Sequence, residues 1–334
     1  MKRFLKIAGS VALGALLLWL FFRHLDLREI LAHVREADPF WLGVAVLMQG
    51  LHLVIRSFRW RTLLSPMKKG IGFYNLFSTT SIGYMLSFLL FRIGEVVRPL
   101  LLGQRERISR SGALATCVLE RLMDFVTVAF LWGIYLVFRF ERADAHQVAG
   151  LDIAQLRATG LIFGIATLAA FPVLYVIVHF RQRLFAFFDR RLGSDAALPR
   201  LIHAFLGGFD AVKGGRLLTR AWLQSFGVWL SIAGSIWASL RAFDLGVDFL
   251  DSFLMVALLA FGIAVPTPGG VGSYEYVGQL GLQFFGVGPN QAAAAILVTH
   301  VTSVAPVMVL GFLLVWRDGL SLRGLTGMGE KAER

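Results

Sequence analysis

The sequence predicts an all-α polytopic membrane protein, and three features indicate this class. Of its 334 residues, 57% are apolar and only 16% are charged, so a water-soluble fold would leave too much apolar surface exposed. The apolar residues form long runs, most of them close to the length of a transmembrane helix. Basic residues, which give a net charge of +12, flank those runs. In this setting the charge indicates membrane topology and anionic lipid rather than nucleic acid.

Six of the runs are predicted to be full transmembrane helices. The first follows three basic residues but lacks the small-residue cleavage site of a secretory signal, so we expect it to be retained. Asp38 and Pro39 supply an N-cap and a first-turn proline for the second. The six predicted spans are residues 7–22, 40–55, 112–138, 159–179, 221–240 and 291–316.

Two further apolar stretches fit a simple span poorly. Residues 73–91 carry many hydroxyl and amide side chains, which are costly to expose to lipid. Residues 252–285 contain a run of prolines and glycines at 266–272, which no continuous helix tolerates. We therefore predict that both stretches are re-entrant, with eight simple spans as the alternative.

The distribution of Lys and Arg distinguishes the two topologies. With eight simple spans, the basic residues divide equally between the two sides of the membrane. With two re-entrant stretches, most basic residues fall on the cytoplasmic side, as the positive-inside rule requires. We therefore favour six full spans, two oppositely oriented re-entrant segments and two cytoplasmic termini.

Residues 1–334 are interpreted as a single integral membrane domain built as an inverted repeat. The separation from Gly83 to Glu95 in the first re-entrant stretch is close to that from Gly262 to Glu275 in the second. Paired interrupted segments in two halves are the best sequence pointer to a transporter's substrate site. The predicted parts are a first half, residues 1–138; a connecting helix and basic cytoplasmic segment, residues 139–220; a second half, residues 221–316; and a cytoplasmic tail, residues 317–334.

Three charged residues lie inside the predicted span 112–138. Glu120 and Asp124 are four residues apart and share a helix face, and Arg121 is three residues from Asp124 and can pair with it. An ionised group at membrane depth costs about 2.5 to 3.5 kcal/mol, so such a cluster is expected to face a wet or paired interior. An internal salt bridge is the alternative to a functional site.

Arg92, Glu95 and Arg98 close the first re-entrant stretch and lie along one helical face. A guanidinium group binds phosphate in a bidentate manner and stays charged at physiological pH. A lipid phosphate is therefore the predicted ligand of Arg92, Arg98 and Arg121. For Arg98, snorkelling to the cytoplasmic headgroups is the alternative.

The turn at residues 268–275 is the remaining candidate site. It is predicted to lead into a helix capped by Ser273, whose free backbone N–H groups favour an anion. Glu275 would balance the helix dipole. As a group, Glu95, Glu120, Asp124 and Glu275 are predicted to balance the charge of the arginines or to carry protons. The predicted backbone anion site consists of Gly269, Gly270, Gly272 and Ser273.

Metal and cofactor chemistry is not expected. The single cysteine, Cys117, lies in an apolar run, and His52 and His300 are lone histidines within spans. The sequence contains neither a Walker loop nor a nucleophile elbow. We therefore predict no catalytic residue, no metal and no cofactor.

Three motifs occur in order: RIGEVVRP at 92–99, ERLMD at 120–124 and PGGVGSYE at 268–275. With these motifs the chain resembles, over residues 6–316, the lysylphosphatidylglycerol synthase transmembrane region family, the flippase-like part of the multiple peptide resistance factor. The resemblance implies a multi-pass protein of the bacterial or archaeal cytoplasmic membrane that moves an amphiphile between leaflets. Only 18 residues follow Trp316, too few for the synthase's soluble domain, so lipid aminoacylation is not expected.

Residues and resemblance together predict a flippase or transporter for a phospholipid or a polyprenyl-linked (glyco)lipid. One alternative is an intramembrane lipid-modifying enzyme with Glu120 and Asp124 as acid and base. Another is an accessory subunit of a glycosyltransferase or lipid synthase. The predicted partners are accordingly a membrane lipid and, under the second alternative, one of those enzymes, with no nucleic acid among them.

Overall fold

A computed structural model describes residues 2–89, 93–139, 162 and 215–332. Within these residues the chain forms eleven α-helices and a short 3-10 turn at Pro268–Gly270, without strands. In chain order the helices are α1 (Lys2–Phe22), α2 (Leu27–Glu36), α3 (Pro39–Leu64), α4 (Phe73–Leu89), α5 (Ile93–Glu106), α6 (Arg110–Arg139), α7 (Gly215–Arg241), α8 (Asp251–Ala264), α9 (Ser273–Phe284), α10 (Pro289–Arg317) and α11 (Leu322–Ala332).

Helix length and composition confirm an all-α polytopic membrane protein. Four helices, α3, α6, α7 and α10, are long and apolar enough to cross a membrane, and α1 with α2 forms a bent pair that adds a fifth candidate. Large apolar side chains such as Leu47, Phe138 and Trp316 are exposed on these helices, as expected for surfaces that face lipid. The number of full spans stays a prediction, and the predicted span 159–179 lies, except for residue 162, outside the described residues.

Helix α3 begins where the sequence predicted but ends later. The Asp38 side chain accepts a hydrogen bond of 2.8 Å from the Phe40 backbone N–H, and Pro39 is the first helical residue. The helix continues past the expected end at residue 55 to Leu64, because no glycine or proline interrupts it there. The predicted end of this span at residue 55 was therefore wrong, because residues 56–64 continue the helix.

The first stretch that was predicted to be re-entrant, residues 73–91, contains α4, and α5, which lies beyond that stretch, forms a hairpin with it. At its base, the Asn75 side-chain amide donates a hydrogen bond of 2.6 Å to Glu106. Nearer its tip, Gly94 packs so closely on Gly83 that a Cβ at residue 94 would lie 1.7 Å from the Gly83 carbonyl oxygen. The two helices therefore run antiparallel, and glycine at residue 94 is what permits their approach.

The second stretch that was predicted to be re-entrant, residues 252–285, forms an equivalent hairpin of α8 and α9. Gly262 of α8 faces the backbone of Ser273, and Met255 packs against Gly281 further from the tip. The turn that joins the two helices, residues 265–272, contains three glycines with positive φ, a backbone conformation that other residues rarely adopt. This requirement explains why glycines crowd the turn.

The two hairpins point towards each other. Their tips meet, since the Phe88 carbonyl group lies against Gly269. The base of the first hairpin is bound to the end of α10, where Asp318 accepts a hydrogen bond of 2.6 Å from Arg105. The base of the second is bound to the end of α6, where Arg139 forms an ion pair of 3.5 Å with Asp251. Because α10 starts beside the second base and ends at the first, the bases lie at opposite ends of the bundle.

Helix packing follows a two-fold pattern that relates α3–α6 to α7–α10. The contact of α3 with α4 matches that of α7 with α8, the contact of α5 with α6 matches that of α9 with α10, and the contact of α4 with α10 matches that of α8 with α6. Helices α3 and α7 pack against each other at the centre. This arrangement is the one expected of two oppositely oriented repeats, although the side of the membrane from which each hairpin enters stays a prediction.

Two helices were not expected from the sequence. Helix α2, with Asp26 as its N-cap, packs against α10. Helix α11 lies in the predicted cytoplasmic tail, but it packs against α5, with Leu325 buried and Gly329 in contact with Ile93. Both helices are shorter than a transmembrane span, so the pattern of long apolar runs does not predict them.

Candidate functional site

Six charged side chains meet inside the bundle, between α3, α5 and α6. We call this group the arginine–carboxylate cluster. Tyr84 of α4 and two side chains of α7 complete its surroundings. The cluster consists of Arg56, Arg59, Arg98, Glu120, Arg121 and Asp124.

Asp124 is the centre of the cluster. Its Oδ2 accepts a hydrogen bond of 3.0 Å from Arg56 Nη1, and its Oδ1 accepts one of 2.7 Å from Arg59 Nη1. The indole N–H of Trp229 donates a further bond of 3.0 Å to Oδ1. A buried carboxylate with this many donors is satisfied as an anion, so the predicted interior pairing of residues 120–124 is what the structure shows.

Glu120 is fully buried and joins two helices to α6. It accepts a hydrogen bond of 2.8 Å from Arg98 Nη1 and a longer one, 3.4 Å, from Arg59 Nε. Arg98 also stacks over the Trp60 ring at 3.8 Å from the ring centre. The alternative position of Arg98, among the cytoplasmic headgroups, does not fit the structure, because Arg98 is buried and pairs with Glu120.

Arg121 is the arginine of the cluster that reaches the surface of the bundle. Its side chain is 41% exposed, and its Nη1 lies 3.6 Å from Asp124 Oδ2, which confirms the predicted pairing along the helix. Its Nη2 donates a hydrogen bond of 2.7 Å to the Tyr84 hydroxyl. Arg121 therefore connects the buried charges to the outside.

The cluster has more hydrogen-bond donors than acceptors among the described residues. Arg56 Nε, Arg59 Nη2 and two nitrogens of Arg98, Nε and Nη2, are buried without a hydrogen-bond acceptor in that part of the chain. Within the cluster, four guanidinium groups face only two carboxylates, those of Glu120 and Asp124. Outside the cluster, the charge of a third carboxylate, Glu95, also acts on Arg121. A buried donor without a partner is costly, so this site favours an added anion.

Two further residues of the predicted site, Glu95 and Arg92, belong to the first hairpin. Glu95 is half-buried in the first turn of α5. Arg92, the other predicted phosphate ligand of this hairpin, lies outside the described residues.

A second polar group lies at the tip of the second hairpin, and we call it the Glu275–His300 pair. Glu275 Oε1 and His300 Nδ1 are 2.5 Å apart, and both side chains are buried. Glu275 Oε2 accepts a hydrogen bond of 2.7 Å from the Gly272 backbone N–H. The other ring nitrogen of His300 lies 3.2 Å from the Gly269 carbonyl oxygen, and the ring stacks on Tyr274.

The structure corrects the predicted backbone anion site. Gly272, not Ser273, is the N-cap of α9, and the Ser273 hydroxyl donates instead to the Gly270 carbonyl group at 3.1 Å. The N–H groups of Gly270 and Gly272 bond within the chain, to Thr267 and Glu275. The negative charge at this helix start is therefore the protein's own Glu275 carboxylate.

Sequence reasoning missed Arg56, Arg59 and the pairing of His300. Arg56 and Arg59 were counted as loop residues, although their spacing of three continues one face of a helix that holds His52 and Leu63. His300 was interpreted as a lone histidine because its partner is 25 residues away. No group of three or more metal-binding side chains is found among the described residues.

Fold and site together define a polytopic α-helical membrane protein with two opposed hairpins and a buried, arginine-rich polar site. The family model of the lysylphosphatidylglycerol synthase TM region matches residues 7–311, and the chain belongs to this family. Its membership confirms the resemblance seen in the three sequence motifs and indicates a membrane function related to lipids.

Similar proteins include the glycosyltransferase AglD of Haloferax volcanii, which is 26% identical over 98% of this chain. A UPF0104 membrane protein of Methanothermobacter thermautotrophicus is 25% identical, with 95% of each chain covered. The UPF0104 membrane protein MJ1595 of Methanocaldococcus jannaschii is 21% identical over 87% of this chain and 88% of its own length. This chain spans only 56% of the length of AglD.

Proposed function

We propose that this protein moves a phospholipid or a polyprenyl-linked (glyco)lipid between the leaflets of the cytoplasmic membrane. The observation that carries the proposal is the arginine–carboxylate cluster, which holds guanidinium N–H groups that have no acceptor among the described residues of the bundle. Charged groups at membrane depth are expensive and are normally functional. A lipid phosphate supplies the acceptors that these donors lack.

The route to the cluster starts at Arg121. Its guanidinium group is exposed enough to meet a lipid phosphate first, while Tyr84 and Asp124 hold it in place. Arg56 also stacks on Tyr84, at 5.0 Å from the ring centre, and carries one of the unpartnered donors. We therefore assign headgroup binding to Arg121 and Arg56, with transfer accomplished by rocking of the two repeats.

The proposal assigns no catalytic step to the chain. In the enzyme alternative Glu120 and Asp124 would act as acid and base, but both carboxylates accept hydrogen bonds from two arginines each. The name of AglD supports a link to glycosyltransferases, either as the membrane part of such an enzyme or as its partner. The enzyme alternative predicts a chemically altered lipid, and the accessory-subunit alternative predicts a stable complex. A flippase only relocates the lipid.

Reconstitution into liposomes tests the proposal directly. Fluorescent phospholipid and polyprenyl-phosphate analogues are placed in both leaflets, and the rate at which inner-leaflet label becomes quenchable from outside is measured. We expect the protein to accelerate this exchange and Arg121→Gln to abolish it. The matched control is Arg23→Gln, because Arg23 also lies over an aromatic ring but is at the end of α1.

Two results would contradict the proposal. One is exchange that is equally fast with the wild type and Arg121→Gln. The other is the absence of acceleration for every lipid, from protein shown to be folded by its size-exclusion profile and circular dichroism. A lipid that changes in mass during the assay would favour the enzyme alternative.

A further inference from the structure

The Glu275–His300 pair holds the turn of the second hairpin at two points. The carboxylate accepts the Gly272 N–H, and the ring nitrogen Nε2 contacts the Gly269 carbonyl group. The pair therefore connects α9 and α10 to both ends of a glycine-rich segment. Three of these glycines have positive φ, and the Ser273 hydroxyl also bonds within the turn, to Thr267 and to the Gly270 carbonyl group.

These contacts require a specific number of protons. The Gly269 carbonyl oxygen can only accept a hydrogen bond, so His300 Nε2 must carry a hydrogen to bond with it. The 2.5 Å contact between Nδ1 and Glu275 needs another hydrogen, on the ring or on the carboxyl group. A neutral imidazole beside a carboxylate holds only one. The arrangement is complete only when the pair has bound one additional proton.

Loss of that proton breaks one of the two contacts. If Nε2 keeps its hydrogen, the Nδ1 lone pair faces the Glu275 carboxylate, and if Nδ1 keeps it, the Nε2 lone pair faces the Gly269 carbonyl oxygen. Each case sets two acceptors against each other at bonding distance, in a buried site where such contacts are costly. The ring or the turn must then move.

We propose that the Glu275–His300 pair is a proton-binding site whose occupancy sets the position of the second hairpin's turn. This site is separate from the arginine–carboxylate cluster, and its existence does not depend on lipid transport. That its protonation controls transport rests on the proposed function.

Few other titratable groups face the pair in the described part of the chain. Tyr274 stacks on the His300 ring at 4.3 Å between ring centres. The packed helices α3 and α4 carry His52 and Tyr84, which contact each other rather than the pair. Helix α1 meets the turn with Gly14, and the charged Asp251 of α8 is at the far end of that helix. Arg317 is likewise at the far end of α10.

The turn contacts neighbouring elements directly, so a movement of the turn would be transmitted to them. Gly269 lies against the Phe88 carbonyl group at the tip of the first hairpin, and Gly272 lies against Gly14 of α1. One turn along α10 from His300, the Ser303 carbonyl group accepts a hydrogen bond of 2.9 Å from Gln49 of α3. Helix α3 also carries Arg56 and Arg59, so this hydrogen bond connects α10 to the helix that holds part of the cluster.

Hydrogen exchange of the turn tests the proposal without measuring transport. The protein in lipid nanodiscs is labelled between pH 5.5 and 8.5, and exchange in peptides covering residues 262–276 is corrected for the intrinsic effect of pH. We expect protection of the wild-type turn to fall about tenfold as pH rises, the ratio expected when a hydrogen bond to a charged group is lost. His300→Gln and Glu275→Gln should each remove this pH response.

His52→Gln is the matched control, because His52 is also a buried histidine but bonds to the Gln49 carbonyl group. It should leave the pH response of the turn unchanged. A wild-type turn whose protection does not change with pH would overturn the proposal, and so would an undiminished response in folded His300→Gln or Glu275→Gln.

Lipid exchange measured over the same pH range separates the two proposals. Arg121→Gln should lose exchange at every pH and yet keep the pH response of the turn. His300→Gln should retain exchange but lose its pH dependence. A pH-responsive turn in a protein that moves no lipid would refute the transport proposal alone.

Discussion

Neutralising Asp124 should destabilise the bundle more than neutralising Arg121, although the two residues are in contact. Asp124→Asn removes the charge that two buried guanidinium groups, Arg56 and Arg59, contact at 3.0 and 2.7 Å. Leaving a buried charge without its partner costs about 3–5 kcal/mol. Arg121 is 41% exposed and solvent screens its charge, so we expect Arg121→Gln to cost about 1 kcal/mol or less.

The free energy of unfolding in mixed detergent micelles measures both costs. Arg56→Gln in the Asp124→Asn background is a further test, since removing a cation together with its carboxylate should cost less than the two single changes summed. A loss below about 1 kcal/mol for Asp124→Asn, or strict additivity of the two changes, would refute the view that these charges stabilise one another. Either result would indicate that water or lipid, rather than the opposite charge, stabilises these side chains.

Three further changes have definite expected results. Gly94→Ala places a methyl group against the Gly83 carbonyl oxygen and should cost about 1–3 kcal/mol of stability in the same assay. Gly133→Ala should be neutral or stabilising, because among the described residues the new methyl group meets no atom within 4 Å apart from the backbone of its own helix. Burial acts to raise the pKa of Asp318, but hydrogen bonds from Ser78, Tyr74 and Arg105 outweigh it and hold that pKa below its ordinary value. Its contribution to stability is therefore present above about pH 4 and is lost as pH falls through the lowered pKa; Asp318→Asn should lose less stability over that range, and an equal loss would refute this role. Asp38→Ala should cost about 1 kcal/mol, because it removes the cap of α3, and unchanged thermal stability would contradict it.

Long apolar runs were sufficient to predict most of the fold. The predicted spans 112–138, 221–240 and 291–316 lie within α6, α7 and α10, since a run of that length has few alternatives to a membrane helix. The end of α3 could not be found by hydropathy, because its last turns carry three arginines, two of them buried. Charge alone does not reveal whether a residue faces a loop or a paired interior.

The site was predicted only where its contacts are local. Arg121 and Asp124 are three residues apart, so their pairing follows from helix geometry. Arg56 is 68 residues from Asp124, and nothing in the sequence specifies that distant contact. Ser273 was predicted as a cap from its residue type, but the positive φ of Gly272 makes that glycine the cap instead.

Each hairpin is bound to a neighbouring helix at its base and touches the other hairpin at its tip. A small tilt at the base therefore becomes a larger displacement at the tip. Helix α8 has 14 residues and is about 21 Å long, so a tilt of about 10° at its base moves its far end by about 4 Å. That displacement is large enough to break the 3.2 Å contact between His300 and Gly269. A small rotation at the base of a hairpin would thus separate the two tips. Under the proposed function, a path between the tips therefore opens without sliding of the long helices past one another.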